Sequence, residues 1–294
     1  MQAALPRPTI RMLLAAADRA LSNGPHVGKA RRDAEELFLL ALRRDAPRAT
    51  RAWLIAHQDD AVAPDVEPAL RALLARRSAG EPMQYIAGEA EFYGMPFLVD
   101  RSALIPRPET EHVVEMAVAL GKALGRPRIV DVGTGSGAIA ITLARQLPNA
   151  VVTATEVSKA ALEVAQRNAE RLGFAERVRF LHGDLLAPVA GEHFDIVVSN
   201  PPYVPERDRA SLAVEVREFE PAQALFAGQD GLEIYRRLIP AAFAALAPGG
   251  FVVLEIGFGQ RDAVGALFEE PGFAEVEFTD DLQGIPRVAS AKRR

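Results

Sequence analysis

Residues 129 to 139 place the tightest constraint on how this chain can fold: the β-branched run Ile129-Val130-Asp131-Val132 leads directly into Gly133-Thr134-Gly135-Ser136-Gly137 and then into an apolar helical stretch. Glycine reaches backbone angles that other residues avoid, so alternating glycines let a chain leave a strand, turn sharply and enter a helix almost at once. The same alternation continues downstream. Strands are expected at Arg128 to Gly133, Val151 to Glu156, Val178 to Asp184, Phe194 to Asn200 and Gly250 to Gly257, with helical patterns between most of them. Runs such as Ile129-Val130 and Ile196-Val197-Val198 are short and β-branched, as suits strands covered on both faces. Two late segments, Ala274 to Thr279 and Val288 to Ala291, can close the sheet edge. Residues 106–294 are thus expected to form an α/β, doubly wound, Rossmann-like domain of seven strands.

The preceding part of the chain has a different grammar. Over residues 1–80 apolar positions recur at helical spacing, as in Ile10, Leu13, Leu14, Ala17 and Leu21, then Leu37, Leu40 and Ala41, then Val66, Leu70, Leu73 and Leu74. Turn signals at Asn23-Gly24-Pro25, Asp45-Ala46-Pro47 and Ala63-Pro64-Asp65 divide them, which predicts a small all-α helical bundle. Residues 81–105, with Phe92, Phe97 and Val99 around Gly94, read as a β-hairpin linker between the two domains. Pro106-Arg107-Pro108 then holds the backbone extended before Glu109-Thr110-Glu111 opens a new helix.

Composition removes several chemistries. The chain has no cysteine, so thiolate nucleophiles, disulfides and Cys-ligated metals are excluded. No apolar run reaches the roughly 18 residues needed to span a bilayer, and the N-terminal segment lacks the apolar block of a signal peptide, so a cytoplasmic location is expected. His26, His57, His112, His182 and His193 are scattered without metal-ligand spacing. Net charge is -5, but unevenly spread: residues 1–80 carry 13 Lys and Arg against 9 Asp and Glu, residues 106–294 carry 20 against 26. An acidic second part is a poor surface for gripping a nucleic-acid backbone, and the mildly basic first part lacks a basic stripe.

The glycine turn lies where an open α/β sheet binds its ligand, at the carboxyl end of the first strand. Gly133, Gly135 and Gly137 alternate, unlike the dinucleotide fingerprint, and no Lys-Ser/Thr follows as in a phosphate loop. The second strand ends in Glu156, whose carboxylate can accept hydrogen bonds from both hydroxyls of a ribose. Loop and acid together indicate an adenosine-type ligand, with dinucleotides still open on these residues alone.

Asn200-Pro201-Pro202-Tyr203 directly follows the fourth strand. A planar amino nitrogen is a poor nucleophile because its lone pair is delocalised. The Asn200 side-chain oxygen and the Pro201 carbonyl can accept its two N–H hydrogens and aim the lone pair at an electrophilic carbon. Two prolines stiffen such a bracket and remove competing donors, and the Tyr203 ring can pack on a planar acceptor. No metal or unusual base is needed if the electrophile is a sulfonium methyl group. Asn200 to Tyr203 are therefore the candidate catalytic residues. A glutamine amide and the exocyclic nitrogen of adenine both satisfy this bracket.

With these motifs in hand, the chain resembles the HemK/PrmC family of peptide chain release factor glutamine methyltransferases, a branch of the class I S-adenosylmethionine-dependent methyltransferases. The resemblance runs in order through Glu81-Pro82-Met83-Gln84-Tyr85-Ile86, Phe92-Tyr93-Gly94, Leu104 to Glu111, Asn200 to Val204 and Arg217-Glu218-Phe219-Glu220-Pro221, covering almost the whole chain. It implies that S-adenosyl-L-methionine is the cofactor, S-adenosyl-L-homocysteine the product, and Gly133, Thr134, Gly135, Ser136, Gly137, Glu156, Asp184, Leu185 and Asn200 the residues that hold it. It further implies methylation of the N5 amide nitrogen of the glutamine in a Gly-Gly-Gln motif, peptide chain release factors as partners docked partly by the helical bundle, and no direct nucleic-acid substrate. The family often has Asp at the place of Glu156 and an aromatic residue at the place of Leu185. A sister family acting on a ribosomal protein tends to carry Pro-Arg-Ser-Pro where this chain has Pro106-Arg107-Pro108-Glu109-Thr110. Adenine N6 methylation of nucleic acid is the other alternative, and it would need a basic groove beside the pocket. Arg107 and Glu109 are expected near the mouth of the cleft, either positioning a ligand or forming an ion pair.

Overall fold

The structure, a computed structural model, describes residues 7–43 and 46–294. Of the sequence expectations, the turn signal at Asp45 and the start of the N-terminal segment lie outside the described residues. The contacts divide the chain into two compact units. One runs to Ala87 and includes Ala213–Phe219, while the other comprises Gly88–Leu212 and Glu220–Arg294. No helix of the described residues is long and apolar enough to cross a membrane.

The first unit is helical. Its helices are α1 (Ile10–Leu21), α2 (Ala30–Leu42), α3 (Arg51–Ala56), α4 (Val66–Ser78) and α5 (Met83–Ala87), joined by the short helix Val214–Phe219 from later in the chain. Thr9 and Thr50 cap α1 and α3 by accepting the backbone N–H of Met12 and Trp53, which satisfies donors that a helix start leaves open. Ile10, Leu14, Ala17 and Leu21 face Ala34, Leu37 and Phe38 in one core with Leu54, Val66 and Leu70. Arg77, only 1% exposed, sits in this unit with its guanidinium shared among Asp33 (2.7 Å), the Glu81 carbonyl (2.8 Å) and Glu215 (3.1 Å). A buried guanidinium persists only when its donors find partners of this kind.

The second unit is built on a seven-stranded sheet. A hairpin, β1 (Glu89–Phe92) and β2 (Met95–Leu98), precedes the sheet strands β3 (Arg128–Val132), β4 (Val151–Glu156), β5 (Val178–His182), β6 (Phe194–Ser199), β7 (Leu246–Glu255), β8 (Phe273–Asp280) and β9 (Pro286–Arg293). Spatial order is β5-β4-β3-β6-β7-β9-β8; the first five run parallel, β9 runs antiparallel to them, and β8, antiparallel to β9, returns to their direction. This is the doubly wound α/β architecture expected from the strand and helix pattern. On one face α6 (Glu111–Leu124), α7 (Ala138–Gln146) and α8 (Lys159–Leu172) pack with Ile129, Val152, Ile196 and Val198. On the other, α9 (Glu233–Ala245) and α10 (Arg261–Glu269) cover Val130, Val197, Val252 and Leu254.

Phe92, Met95 and Phe97 of the hairpin are buried in the first of these cores, so the hairpin is an integral part of the sheet unit. Asn168 on α8 explains its attachment. Its Oδ1 accepts the Leu98 N–H (2.6 Å) and its Nδ2 donates to the carbonyls of Leu98 (3.0 Å) and Ser136 (2.9 Å), tying the hairpin to the glycine turn. After β3 the strand order reverses, since β4 lies on one side and β6 on the other. A crevice opens at such a switch point, at the carboxyl ends of the strands.

Candidate active site

A cavity of about 240 Å³ occupies that crevice. Its walls come from the ends of β3, β4, β5 and β6 and from the approach to α6, and they include Gly133, Thr134, Gly135, Ser136, Glu156, Asp184, Leu185, Asn200 and Pro202. These residues come from separate motifs along the chain, and the fold gathers them around one space.

The glycine turn is shaped for an occupant. Gly133, Gly135 and Gly137 have φ of +72°, +57° and +83°, a region disfavoured for side chains bearing a Cβ. A Cβ at Gly133 or Gly135 would meet no protein atom within 4 Å, whereas one at Gly137 would lie 2.9 Å from Ile141 Cδ1 and 3.1 Å from Ala165 Cβ. Gly137 is not among the lining residues; it permits α7 and α8 to approach. Below the turn, Asp131 is fully buried, accepting from the Thr134 hydroxyl (2.6 Å) and the Ala140 N–H (3.1 Å) while its Oδ1 has no partner. Burial outweighs those bonds and pushes its carboxyl up to about 7, with the nearby Glu156 charge adding to the rise.

Glu156 ends β4 with 8% exposure. One oxygen accepts the Gly135 N–H and the other the Ser158 N–H, both at 2.9 Å, which fixes the carboxylate plane and leaves acceptor capacity on each oxygen. Asp184 pairs with Arg237 at the cavity rim. Leu185, with φ +46°, is held in the left-handed region by the turn after β5 and lends the cavity an apolar patch.

Asn200 is oriented by residues far away in sequence. Its Nδ2 donates to Thr110 Oγ1 (2.9 Å), and Thr110 Oγ1 donates to Glu255 Oε2 (2.6 Å). The Tyr203 hydroxyl donates to the other Glu255 oxygen (3.1 Å), and the Tyr235 hydroxyl donates to the Glu255 carbonyl (2.7 Å). Glu255 is 1% exposed, and burial pushes its carboxyl up to about 7 despite the bonds from Thr110 and Tyr203. Burial beside this carboxylate also pushes the Tyr203 phenol well above its ordinary range. Two of the four candidate catalytic residues stand apart from the cavity wall. Pro201 is buried, and the Tyr203 ring packs among the core residues under α9 and α10. The Tyr203 carbonyl is clamped by Gln260 Nε2 (2.9 Å), whose own Oε1 accepts the Gly257 N–H (3.0 Å). Tyr203 thus braces the segment, where the sequence reading had its ring packing on the acceptor.

Arg107 lines the cavity and pairs within this unit with Glu220 (2.5 Å), whose other oxygen accepts the Ile105 N–H (3.4 Å). Sequence reasoning passed over Thr110, Glu220 and Glu255. Thr110 stands in a segment already noted as a helix start, and Glu255 is the last residue of a core strand. A carboxylate closing an apolar strand was the available signal.

The order β5-β4-β3-β6-β7-β9-β8 with β9 reversed, joined to a glycine turn after β3, an acid at the end of β4 and Asn-Pro-Pro-Tyr after β6, is the arrangement of a class I methyltransferase. A methyltransferase from Pyrococcus furiosus of known structure agrees in fold, with a TM-score of 0.51 and 21% identity over 76% of this chain and 97% of that one. Residues 116–228 match the model of the methyltransferase small domain and residues 12–88 that of the PrmC N-terminal domain. The release factor glutamine methyltransferase of Geobacter sulfurreducens is 44% identical over 90% of both chains, and that of Moorella thermoacetica 42% identical over 97% of this chain and 99% of its own. The chain belongs to the release factor glutamine methyltransferase family.

Proposed function

We propose that this protein transfers a methyl group from S-adenosyl-L-methionine to the N5 side-chain amide nitrogen of the glutamine in the Gly-Gly-Gln motif of peptide chain release factors. The observation that carries this reading is the disposition of the Asn200 amide. Its N–H is engaged by Thr110, so Oδ1 is the atom left to accept an N–H from a planar amino group. That requirement is met by a carboxamide and by the exocyclic amino group of adenine alike, and the likeness to release factor glutamine methyltransferases along almost the whole chain favours the carboxamide.

The residues present fit the cofactor. Gly133 and Gly135 leave open the space a Cβ would fill, Glu156 keeps acceptor capacity for a pair of hydroxyls, and Leu185 offers an apolar cover for a purine face. When bound, S-adenosyl-L-methionine supplies an electrophilic methyl group on a sulfonium. This chain's own residues do the rest: Asn200 Oδ1 holds an N–H hydrogen of the acceptor, and the prolines keep the segment stiff. The helical unit serves as a docking surface for the release factor. The reaction is cytoplasmic, and nucleic acid is not the substrate.

The test is mass spectrometry of release factors incubated with the protein and S-adenosyl-L-methionine. One added methyl group on the Gly-Gly-Gln glutamine is expected, and none when that glutamine is replaced. Asn200→Ala should lower kcat by about 100-fold, a far larger effect than on cofactor affinity, since it removes the positioning of the acceptor. Methylation that ignores the glutamine, or an acceptor that is nucleic acid, overturns the assignment.

A further inference from the structure

Asn, unlike Asp, has two unlike ends, and a bracket that must accept hydrogen bonds works only if the oxygen end faces the acceptor. Nothing in Asn200 itself decides which end that is. The decision lies in the hydrogen of the Thr110 hydroxyl. Thr110 Oγ1 stands 2.6 Å from Glu255 Oε2 and 2.9 Å from Asn200 Nδ2, and it has one hydrogen to give. A carboxylate accepts and never donates, so against Glu255 the hydroxyl must give its hydrogen inward, and its lone pair then receives Nδ2 of Asn200. Turning the amide over would set Asn200 Oδ1 against an oxygen whose hydrogen is already committed.

We propose that Glu255 is a positioning residue for methyl transfer: through the Thr110 hydroxyl it dictates that Asn200 presents its oxygen to the methyl acceptor. This rests on the reading of Asn200 as the residue that holds the acceptor amide. Glu255 touches neither ligand in this scheme and acts wholly through Thr110. Its burial gives the device a second property. A protonated Glu255 can donate to Thr110, which turns the Thr110 hydrogen toward Asn200 and favours the inverted amide. The groups around it are Glu109, which favours protonation; Arg287, which opposes it; and the Tyr203 hydroxyl, which also opposes it by donating to the charged form. Tyr235 from α9 bonds only to the Glu255 backbone carbonyl. Since the carboxyl is pushed up to about 7, the active arrangement is favoured on the alkaline side.

The test uses the full chain with S-adenosyl-L-methionine and a release factor, comparing wild type with Thr110→Val, Thr110→Ser and Glu255→Gln. Thr110→Val keeps the shape and loses the hydroxyl, and its kcat is expected to fall by about 10-fold to 100-fold at nearly unchanged KM and cofactor affinity, the scale of a misplaced reacting group. Thr110→Ser keeps the hydroxyl and is expected to restore most of the rate. The kcat of the wild type is expected to rise with pH through the neutral range, and that limb is expected to vanish in Glu255→Gln. A readout free of turnover is the side-chain ¹⁵N–¹H resonance of Asn200, identified by its loss in Asn200→Asp. It is expected to shift in Thr110→Val and to stay in Thr110→Ser. An unmoved Asn200 resonance in Thr110→Val, a wild-type kcat in that variant, or an equal loss in the valine and serine variants overturns the proposal. If the wild type methylates no release factor, the acceptor assignment fails, and the Asn200 resonance still decides whether Glu255 and Thr110 set the amide.

Discussion

Glu156 and Glu255 are both buried carboxylates at the carboxyl ends of sheet strands, yet their surroundings assign them opposite work. Glu156 receives backbone N–H groups from Gly135 and Ser158, donors that cannot turn away, so it must remain an acceptor on both oxygens. Glu255 receives only hydroxyls, from Thr110 and Tyr203, which can reverse their hydrogens. Replacing Glu156 by Gln sets an NH₂ against one of those fixed N–H groups and removes charge from the hydroxyl-binding edge. Cofactor affinity measured by titration calorimetry is expected to weaken by at least about 10-fold, the range for loss of hydrogen bonds to a charged group. Affinity equal to wild type would refute the role given to this residue. Of these two acids, Glu156 was legible in sequence because it follows a recognisable strand at the spacing of a ribose-binding acid. Glu255 was not, because its importance depends on Thr110, distant in the chain and brought alongside only when α6 packs on the sheet.

The glycine turn shows how one element divides its tasks among similar residues. All three glycines have positive φ, but the space around them differs: Gly135 opens on the cavity and Gly137 on the packed side chains of Ile141 and Ala165. Gly135→Ala is therefore expected to cost about 1 kcal/mol from backbone strain alone and to impair cofactor binding disproportionately. Gly137→Ala adds overpacking to the same strain and is expected to lose about 2 to 4 kcal/mol of stability. Calorimetric melting and cofactor titration of the two variants separate the effects. Equal losses of stability, or a larger binding defect in Gly137→Ala, would contradict this division. Periodicity identified the strand, the turn and the helix. The family resemblance assigned Gly137 to the ligand together with its neighbours, since only the approach of α8 distinguishes a packing glycine from a cradling one.

At the scale of the whole molecule the buried carboxyls make folding sensitive to pH. Asp131 and Glu255 move from 3.8 and 4.5 in the unfolded chain up to about 7 in the fold, so the native state binds protons that the unfolded state releases. Their contribution is complete below the unfolded values and is lost as pH rises toward about 7, after which it is level. Glu215 works in the opposite sense. Arg77, Lys29 and His26 hold it below the ordinary range, so its contribution is present above that range and lost in acid. Thermal stability is expected to peak at about pH 4, between the acid loss from Glu215 and the loss from Asp131 and Glu255, and to decline to about pH 7 and then stay level. Glu255→Gln removes one of the two penalties, so its Tm at pH 8 is expected to exceed that of the wild type even as its kcat falls. A lower Tm at pH 8 would show that Glu255 is needed for folding rather than for positioning.

The sequence by itself determined what short-range chemistry can write: a helical segment divided by turn signals, seven strands spaced for a doubly wound sheet, a glycine turn that demands positive φ, and an Asn-Pro-Pro-Tyr segment fit to hold a planar nitrogen. Backbone sterics and the period of apolar residues act within a turn or two of chain, so they survive in a one-dimensional record. Only the tertiary structure decided that the hairpin belongs to the sheet core, that Tyr203 braces the segment from below, that Arg107 meets Glu220, and that the Asn200 amide takes its direction from Glu255 through Thr110. Those outcomes depend on burial and on which side chain meets which across the crevice. Hydrogen bonds and pKa values respond to neighbours within a few ångströms, whatever their separation along the chain.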